Sequence, residues 1–183
     1  MPHLIGQRIV LREYRLEDIE PIQAWVNDLQ VTRYLDGTVF LYPRSVQQTR
    51  SFVEENARSG GPAFVIAHRD SEQYIGQLDL MQVDYRHRVA SLGIVIGAKG
   101  YRGKGYGSEA VGLALGFAFH QMNLHRIELW VREDNEAAIK CYRSCGFVEE
   151  GRRRQSYFAD GVRKDLVLMG ILRDEWERKR CQP

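Results

Sequence analysis

The chain predicts an α/β fold built on a mixed sheet that is antiparallel in its first half. Three observations predict it. Apolar runs of strand length alternate with helical periodicity in the order β-α-α-β-β-β-α-β-α-β-β. Polar turns at residues 69–73 and 84–88 join neighbouring strands closely enough for antiparallel hairpins. A glycine-rich stretch, Tyr101-Arg102-Gly103-Lys104-Gly105-Tyr106-Gly107-Ser108-Glu109-Ala110, then separates a β-branched strand from a helix of small residues.

Each element has a local reason. Residues 9–13 (Ile-Val-Leu-Arg-Glu) read as the first strand. Leu16, Ile19, Ile22, Trp25, Val26 and Leu29 fall at helical spacing. Pro21 confines that helix to a start near Glu17 or splits it in two. Residues 31–44 are aromatic and irregular, with Tyr34, Phe40 and Tyr42 among Gly37 and Pro43. Ser45 and Gln48 form a capping box for a helix to about residue 59, ended by Gly60-Gly61-Pro62. Strands follow at 63–68, 74–83 and 89–96, then the glycine loop and a helix over 108–122. Residues 126–131 form the next strand, and Asn135 caps a helix that Gly146 stops. The last two strands are expected at 147–151 and 162–172, with Asp160-Gly161 in the turn between them.

Composition narrows the function classes. With 183 residues the chain suits one well-buried domain, and neither repeats nor low-complexity linkers divide it. A formal charge of +2 gives no global attraction to nucleic acid or to an anionic membrane. No apolar run is long enough to span a bilayer, and Met1-Pro2-His3-Leu4 lacks a signal-peptide pattern. Cys141, Cys145 and Cys181 include no CxxC pair, which fits a reduced, cytoplasmic protein rather than a disulfide framework. No His, Cys, Asp or Glu cluster has metal-ligand spacing, so no metal is expected and His120 and His125 read as structural.

The glycine stretch carries the chemistry. Glycines let backbone approach a ligand, and a helix starting there aims its first N–H groups and positive dipole end at an anion. Arg102 and Lys104 add two cations, or are solvated while the backbone alone binds. The spacing lacks the GxxxxGK[ST] of a Walker loop. Gly103, Gly105 and Gly107 recur at every second position, so the GxGxxG dinucleotide fingerprint fails as well.

Arg102 to Gly107 does fit R-x-x-G-x-G, and Asn135 to Phe147 fits N-x-x-A-x-x-x-Y-x-x-x-G-F. In these two motifs, and in the preceding Leu92-Gly93-Ile94-Val95-Ile96, the sequence resembles the GNAT superfamily of acyl-CoA-dependent N-acyltransferases. The resemblance runs from about Gln7 to Trp176. Arg12, Asn27-Asp28, Asp160-Gly161 and the closing stretch to Trp176 resemble the branch containing ribosomal-protein and spermidine acetyltransferases.

The resemblance implies a single N-acetyltransferase domain over residues 1–183, with a mostly antiparallel mixed sheet of about seven strands and about four helices. Residues 1–62 would form the acceptor side and residues 63–172 the acetyl-CoA-binding core. Acetyl-CoA would be the co-substrate. Ile94, Val95 and Ile96 would face its pantetheine arm, and Arg102, Gly103, Lys104, Gly105, Tyr106 and Gly107 its pyrophosphate. Asn135 would cap its helix and contact the cofactor or an ordered water. Tyr142 matches the family's general acid and would also border the cofactor; a phenol of ordinary pKa about 10 stays protonated at neutral pH. Packing at the core edge is its other reading.

The general base is open. Relatives in this branch often carry Glu where this chain has Ser91, and serine is no comparable base. Glu128 and Asp79 are the alternatives through a water chain, and each also fits a salt-bridged strand residue. Arg152-Arg153-Arg154 reads as a solvated strand end or as a contact for an acidic partner.

The expected acceptor is a protein or peptide N-terminus or a small amine. Residues 28–44 offer only Asp28 and Asp36 against Arg33 and Arg44, so a polyamine ranks behind. A non-catalytic acyl-CoA sensor is the rival class, which Tyr142 disfavours, and direct nucleic-acid binding is not expected. The resemblance is compatible with a monomer or a homodimer.

Overall fold

The computed structural model describes residues 3–35 and 41–180. Asp36, Gly37, Phe40 and Cys181 lie outside the described residues. The strands are β1 (Leu4–Ile5), β2 (Ile9–Arg12), β3 (Ala63–His68), β4 (Tyr74–Asp84), β5 (Val89–Val95), β6 (Arg126–Arg132), β7 (Val148–Ala159) and β8 (Val162–Leu172). The helices are α1 (Ile19–Val26), α2 (Leu29–Thr32), α3 (Val46–Ser59), α4 (Tyr106–Gly116), α5 (Glu136–Cys145) and α6 (Arg173–Arg180). The strands follow the hydrogen-bonded order β1-β2-β3-β4-β5-β6-β8-β7. Pairing is antiparallel at β1–β2, β2–β3, β3–β4, β6–β8 and β7–β8, and parallel at β5–β6. This is the expected mixed α/β fold, with one strand and two helices more among the described residues than the sequence suggested.

The chain divides into two compact units, Met1–Asp79 with Ile94–Leu113 and Leu80–Gly93 with Ala114–Pro183. In the first, α1 presents Ile19, Ile22, Trp25 and Val26 on one buried stripe. Pro21 sits in the first turn of α1, where its missing N–H costs nothing. Asp28 caps α2 by accepting from Gln30 N at 2.9 Å. The Ser45–Gln48 box opens α3, with Gln48 N donating to Ser45 Oγ at 3.2 Å, and Gly60 closes it at φ 63°. Trp25 Nε1 donates to Tyr74 Oη at 2.9 Å inside the apolar cluster, so a buried indole is satisfied.

In the second unit, Phe119, Leu124, Ile127, Leu129 and Met169 are fully buried. Asn135 caps α5 through Ala138 N at 3.3 Å, and Gly146 ends it at φ 108°. Trp176 of α6 packs on Phe119, ring centroids 5.5 Å apart.

Three local expectations change. The helix expected over 108–122 starts at Tyr106 and widens into a π turn over Phe117–Gln121, which buries Phe117, Ala118 and Phe119. Leu29, expected at the end of the preceding helix, and Val31 and Thr32, expected in the irregular stretch, together form the separate α2, because Asp28 supplies a cap. β7 runs to Ala159 rather than ending at Gly151, because β8 pairs it through to Ala159↔Val162. Asp160 and Gly161, at φ 53° and 77°, make the tight turn that sets this register.

Candidate active site

In the first unit the glycine loop follows the end of β5 after a 3-10 turn over Lys99–Tyr101. Ile94, Val95 and Ile96 are half-buried. Gly103 and Gly105 take φ 69° and 83°, left-handed conformations that a side chain disfavours, and both are exposed. Tyr106 and Gly107 lie in the first turn of α4, where helix N–H groups lack intrahelical partners. The first such bond runs from Glu109 N to Gly105 O at 3.1 Å.

Side chains from three places fix this loop. Arg102 donates from Nε to Ile96 O at 3.0 Å and from Nη2 to Gly97 O at 3.2 Å. Its Nη1 reaches Gln30 O at 3.5 Å. Arg102 is therefore bound to backbone oxygens, while Lys104 is exposed. Arg8, which the sequence did not single out, donates from Nη1 to Lys104 O at 2.9 Å and stacks over Tyr106 at 4.3 Å. Tyr106 meets Tyr101 edge-on at 5.2 Å, and Tyr101 donates to Gln73 Oε1 at 3.2 Å. With carbonyls at Ile96, Gly97 and Lys104 engaged by two guanidiniums, the arrangement suits an anion held by N–H groups.

Beside the loop a cleft of about 410 Å³ is lined by Trp25, Asp28, Tyr74, Gly97 and Lys99 among others. Gly97 is required there, since a Cβ would lie 2.4 Å from the Trp25 ring. Asp28, one of two carboxylates considered for a cationic acceptor, pairs with Lys99 at 2.7 Å. The Lys99 hydrogen bond holds its carboxyl below the usual range.

Asp79, at the end of this unit's share of β4, is partly buried. Its Oδ1 and the hydroxyl of Tyr14 are both buried with no protein hydrogen-bond partner. Burial pushes the Asp79 carboxyl up to about 6, with the nearby Tyr14 hydroxyl opposing the shift. Tyr14 in turn is pushed well above the ordinary phenol range by burial and by the Asp79 charge.

In the second unit Tyr142 lies almost two turns into α5 and is 8% exposed, its ring 5.8 Å from that of Phe147. Burial, then the neighbouring Cys141 and Cys145 thiols, raise its pKa above the usual phenol value, so it carries its proton at neutral pH. Glu128 accepts from Arg126 Nε at 3.0 Å, and Arg126 also holds Glu150 through Nη1 at 2.7 Å. Gly170 makes room for that network, because a Cβ would approach Glu150 Oε1 within 2.6 Å. Ser91 donates to Gln82 Oε1 at 3.3 Å. Arg152 pairs with Glu149 at 2.8 Å, and Arg153 stacks over Trp130 at 5.4 Å. Among the described residues no group of three or more metal-ligating side chains occurs, and no helix is long and apolar enough to cross a membrane.

Residues 8–148 match the model of the acetyltransferase (GNAT) domain. The chain belongs to the GNAT acetyltransferase family. It is an acyltransferase, and acetyl-CoA is the co-substrate of such enzymes. The spermidine N(1)-acetyltransferase of Vibrio cholerae is 37% identical over 182 residues, covering 94% of this chain and 97% of that one. An uncharacterized N-acetyltransferase, p20 of Bacillus licheniformis, is 30% identical over 180 residues, 96% of this chain and 99% of that one. The crystal structure of spermidine N-acetyltransferase from Vibrio cholerae in complex with CoA and spermine superposes with a TM-score of 0.82. That structure is 28% identical and covers 93% of this GNAT chain and 98% of its own.

Proposed function

We propose that this GNAT enzyme moves the acetyl group of acetyl-CoA to a primary amine of the polyamine class. The observation that carries the acyl-donor half is the loop over 102–107. Its two left-handed glycines, its Lys104 carbonyl bound by Arg8 and its helix N-terminus fit a pyrophosphate. The observation that carries the acceptor half is the near full-length likeness to the spermidine acetyltransferase of Vibrio cholerae. It reverses the order in which the sequence ranked a peptide N-terminus ahead of a polyamine.

Acetyl-CoA supplies the acetyl group as a thioester, whose carbon–sulfur bond breaks as the carbon–nitrogen bond of the amide forms. The backbone N–H groups of Gly103 to Gly107 hold the pyrophosphate, and Ile94 to Ile96 flank the pantetheine arm. Tyr142, kept protonated by burial, gives its proton to the departing sulfur. Asp79 takes the proton that the amine loses, directly or through water. A carboxylate with a pKa of about 6 is a better proton acceptor near neutrality than one of ordinary acidity. Glu128, held by Arg126, suits that role less well.

The test is a mass-spectrometric search for N-acetylated product with acetyl-CoA and an acceptor panel of spermidine, spermine, small monoamines and peptides with free N-termini. Acetylated polyamine as the fastest-formed product supports the proposal. Acetylation of peptides with no polyamine product refutes the acceptor class. CoA binding with no product from any acceptor favours the sensor class instead.

A further inference from the structure

Arg8 lies 96 positions from Lys104 and 101 from Glu109, yet it meets both. Its backbone N donates to Glu109 Oε1 at 2.8 Å, its Nε to Glu109 Oε2 at 2.9 Å and its Nη1 to Lys104 O at 2.9 Å. The guanidinium also covers the Tyr106 ring at 4.3 Å, and its Nη2 would lie 3.4 Å from a Cβ at Gly105. One planar group thus touches the loop at a carbonyl, at a ring and at a glycine, with a carboxylate as anchor. Only a fork of several donors can span these points; an ammonium cannot.

We propose that Arg8 is a positioning residue for the pyrophosphate loop, setting its conformation and local charge so that CoA binding depends on it. The proposal rests on the cofactor reading of residues 102–107 given above. Two effects support it. The bond to Lys104 O engages a loop carbonyl whose dipole would otherwise oppose an anion. The pairing with Glu109 neutralises a carboxylate in the first turn of α4, where a bare negative charge would repel phosphate. Burial works against the Glu109 charge, but the Arg8 hydrogen bonds hold its carboxyl below the usual range, so it is ionised at neutral pH and needs this partner. The turn before β2 is shaped for the contact: a Cβ at Gly6 would come within 2.7 Å of Glu109 Oε1.

The experiment is calorimetric titration of CoA into wild type, Arg8→Met and Arg8→Lys, with steady-state kinetics on acetyl-CoA and on acetyl-pantetheine, which lacks the pyrophosphate. Loss of charge-assisted bonds of this kind weakens CoA binding by roughly 10-fold or more in Arg8→Met. KM for acetyl-CoA rises in step while kcat stays within about twofold. Use of acetyl-pantetheine is unchanged, and Arg8→Lys recovers part of the loss. A general loss of structure would lower acetyl-pantetheine use equally and so overturns the proposal, as does undiminished CoA binding by Arg8→Met. If Arg8→Met does not fold, Tyr106→Leu, which removes the ring that Arg8 covers together with its edge contact to Tyr101, must weaken CoA by about threefold while acetyl-pantetheine use stays unchanged, and an unchanged CoA value overturns it. Failure of the wild type to bind CoA overturns the cofactor reading itself.

Discussion

Arg102 donates from Nε to the carbonyl oxygen of Ile96 at 3.0 Å, folding the first cation of the glycine loop back onto the end of the strand it leaves. Its Nη2 donates to the next carbonyl along the chain, Gly97 O, at 3.2 Å. The guanidinium thereby joins strand to loop. Arg102→Met is expected to raise KM for acetyl-CoA by about 10-fold or more through a loosened loop, with a smaller change in kcat. Arg102→Lys should recover little, because one ammonium cannot reach both carbonyls in the same planar geometry. Steady-state kinetics with varied acetyl-CoA checks this; full rescue by lysine would point instead to a simple charge effect.

Tyr142 is buried against Phe147, so Tyr142→Phe keeps the packing and removes only the hydroxyl. If that hydroxyl protonates the leaving sulfur, turnover falls by roughly 10²–10⁴-fold while the melting temperature barely moves. A near-normal rate across the pH range would leave Tyr142 as a packing residue.

Asp79, with its pKa pushed up to about 6 by burial, makes opposite predictions for activity and stability. As a base it must be ionised, so kcat/KM should fall as pH drops through about 6, and Asp79→Asn should remove that limb together with most of the rate. The folded state holds this proton more tightly than the unfolded chain. The group therefore favours folding fully below its unfolded pKa, and that contribution is lost as pH rises towards about 6. Asp79→Asn should then stabilise the protein at pH values above that window, read as a higher melting temperature than wild type. A variant that is fully active, or less stable at alkaline pH, would contradict the assignment.

Arg12 and Asp18 form a bidentate pair at 2.8 and 2.7 Å, each side chain 2% exposed. Asp18→Asn leaves a guanidinium buried without its counter-charge, at a cost of about 3–5 kcal/mol. Denaturant unfolding measures it directly. A loss below about 1 kcal/mol would mean the pair behaves as a surface bridge does.

Much of this fold is written locally. The Ser45–Gln48 box, the stop at Gly146, the Asp160-Gly161 turn and the stripe on α1 each act within a few residues. The elements that escaped owe their form to distant partners. β7 carries Arg152-Arg153-Arg154 and alternates little in burial, so no period-two pattern marks its second half; β8 supplies the missing order. α6 buries Trp176 on Phe119 amid charged neighbours, too thin a stripe for periodicity to reveal. β1 is two residues long.

The candidate site divides in the same way. The glycine spacing and the N-x-x-A-x-x-x-Y pattern are contiguous and therefore readable. Arg8 could not be found so, because its role comes from chain segments about a hundred positions apart being brought together. The balance between Asp79 and Glu128 was equally hidden. It turns on burial beside Tyr14 in one case and on an ion pair with Arg126 in the other.

In the proposed enzyme residues 102–107 hold the pyrophosphate of acetyl-CoA. Backbone amide NMR during CoA titration tests it most directly, with acetyl-pantetheine as the comparison. The amides of Gly103, Lys104, Gly105, Tyr106 and Gly107 are expected to shift strongly with CoA and little with acetyl-pantetheine. Saturable CoA binding that leaves these five amides unmoved would contradict it.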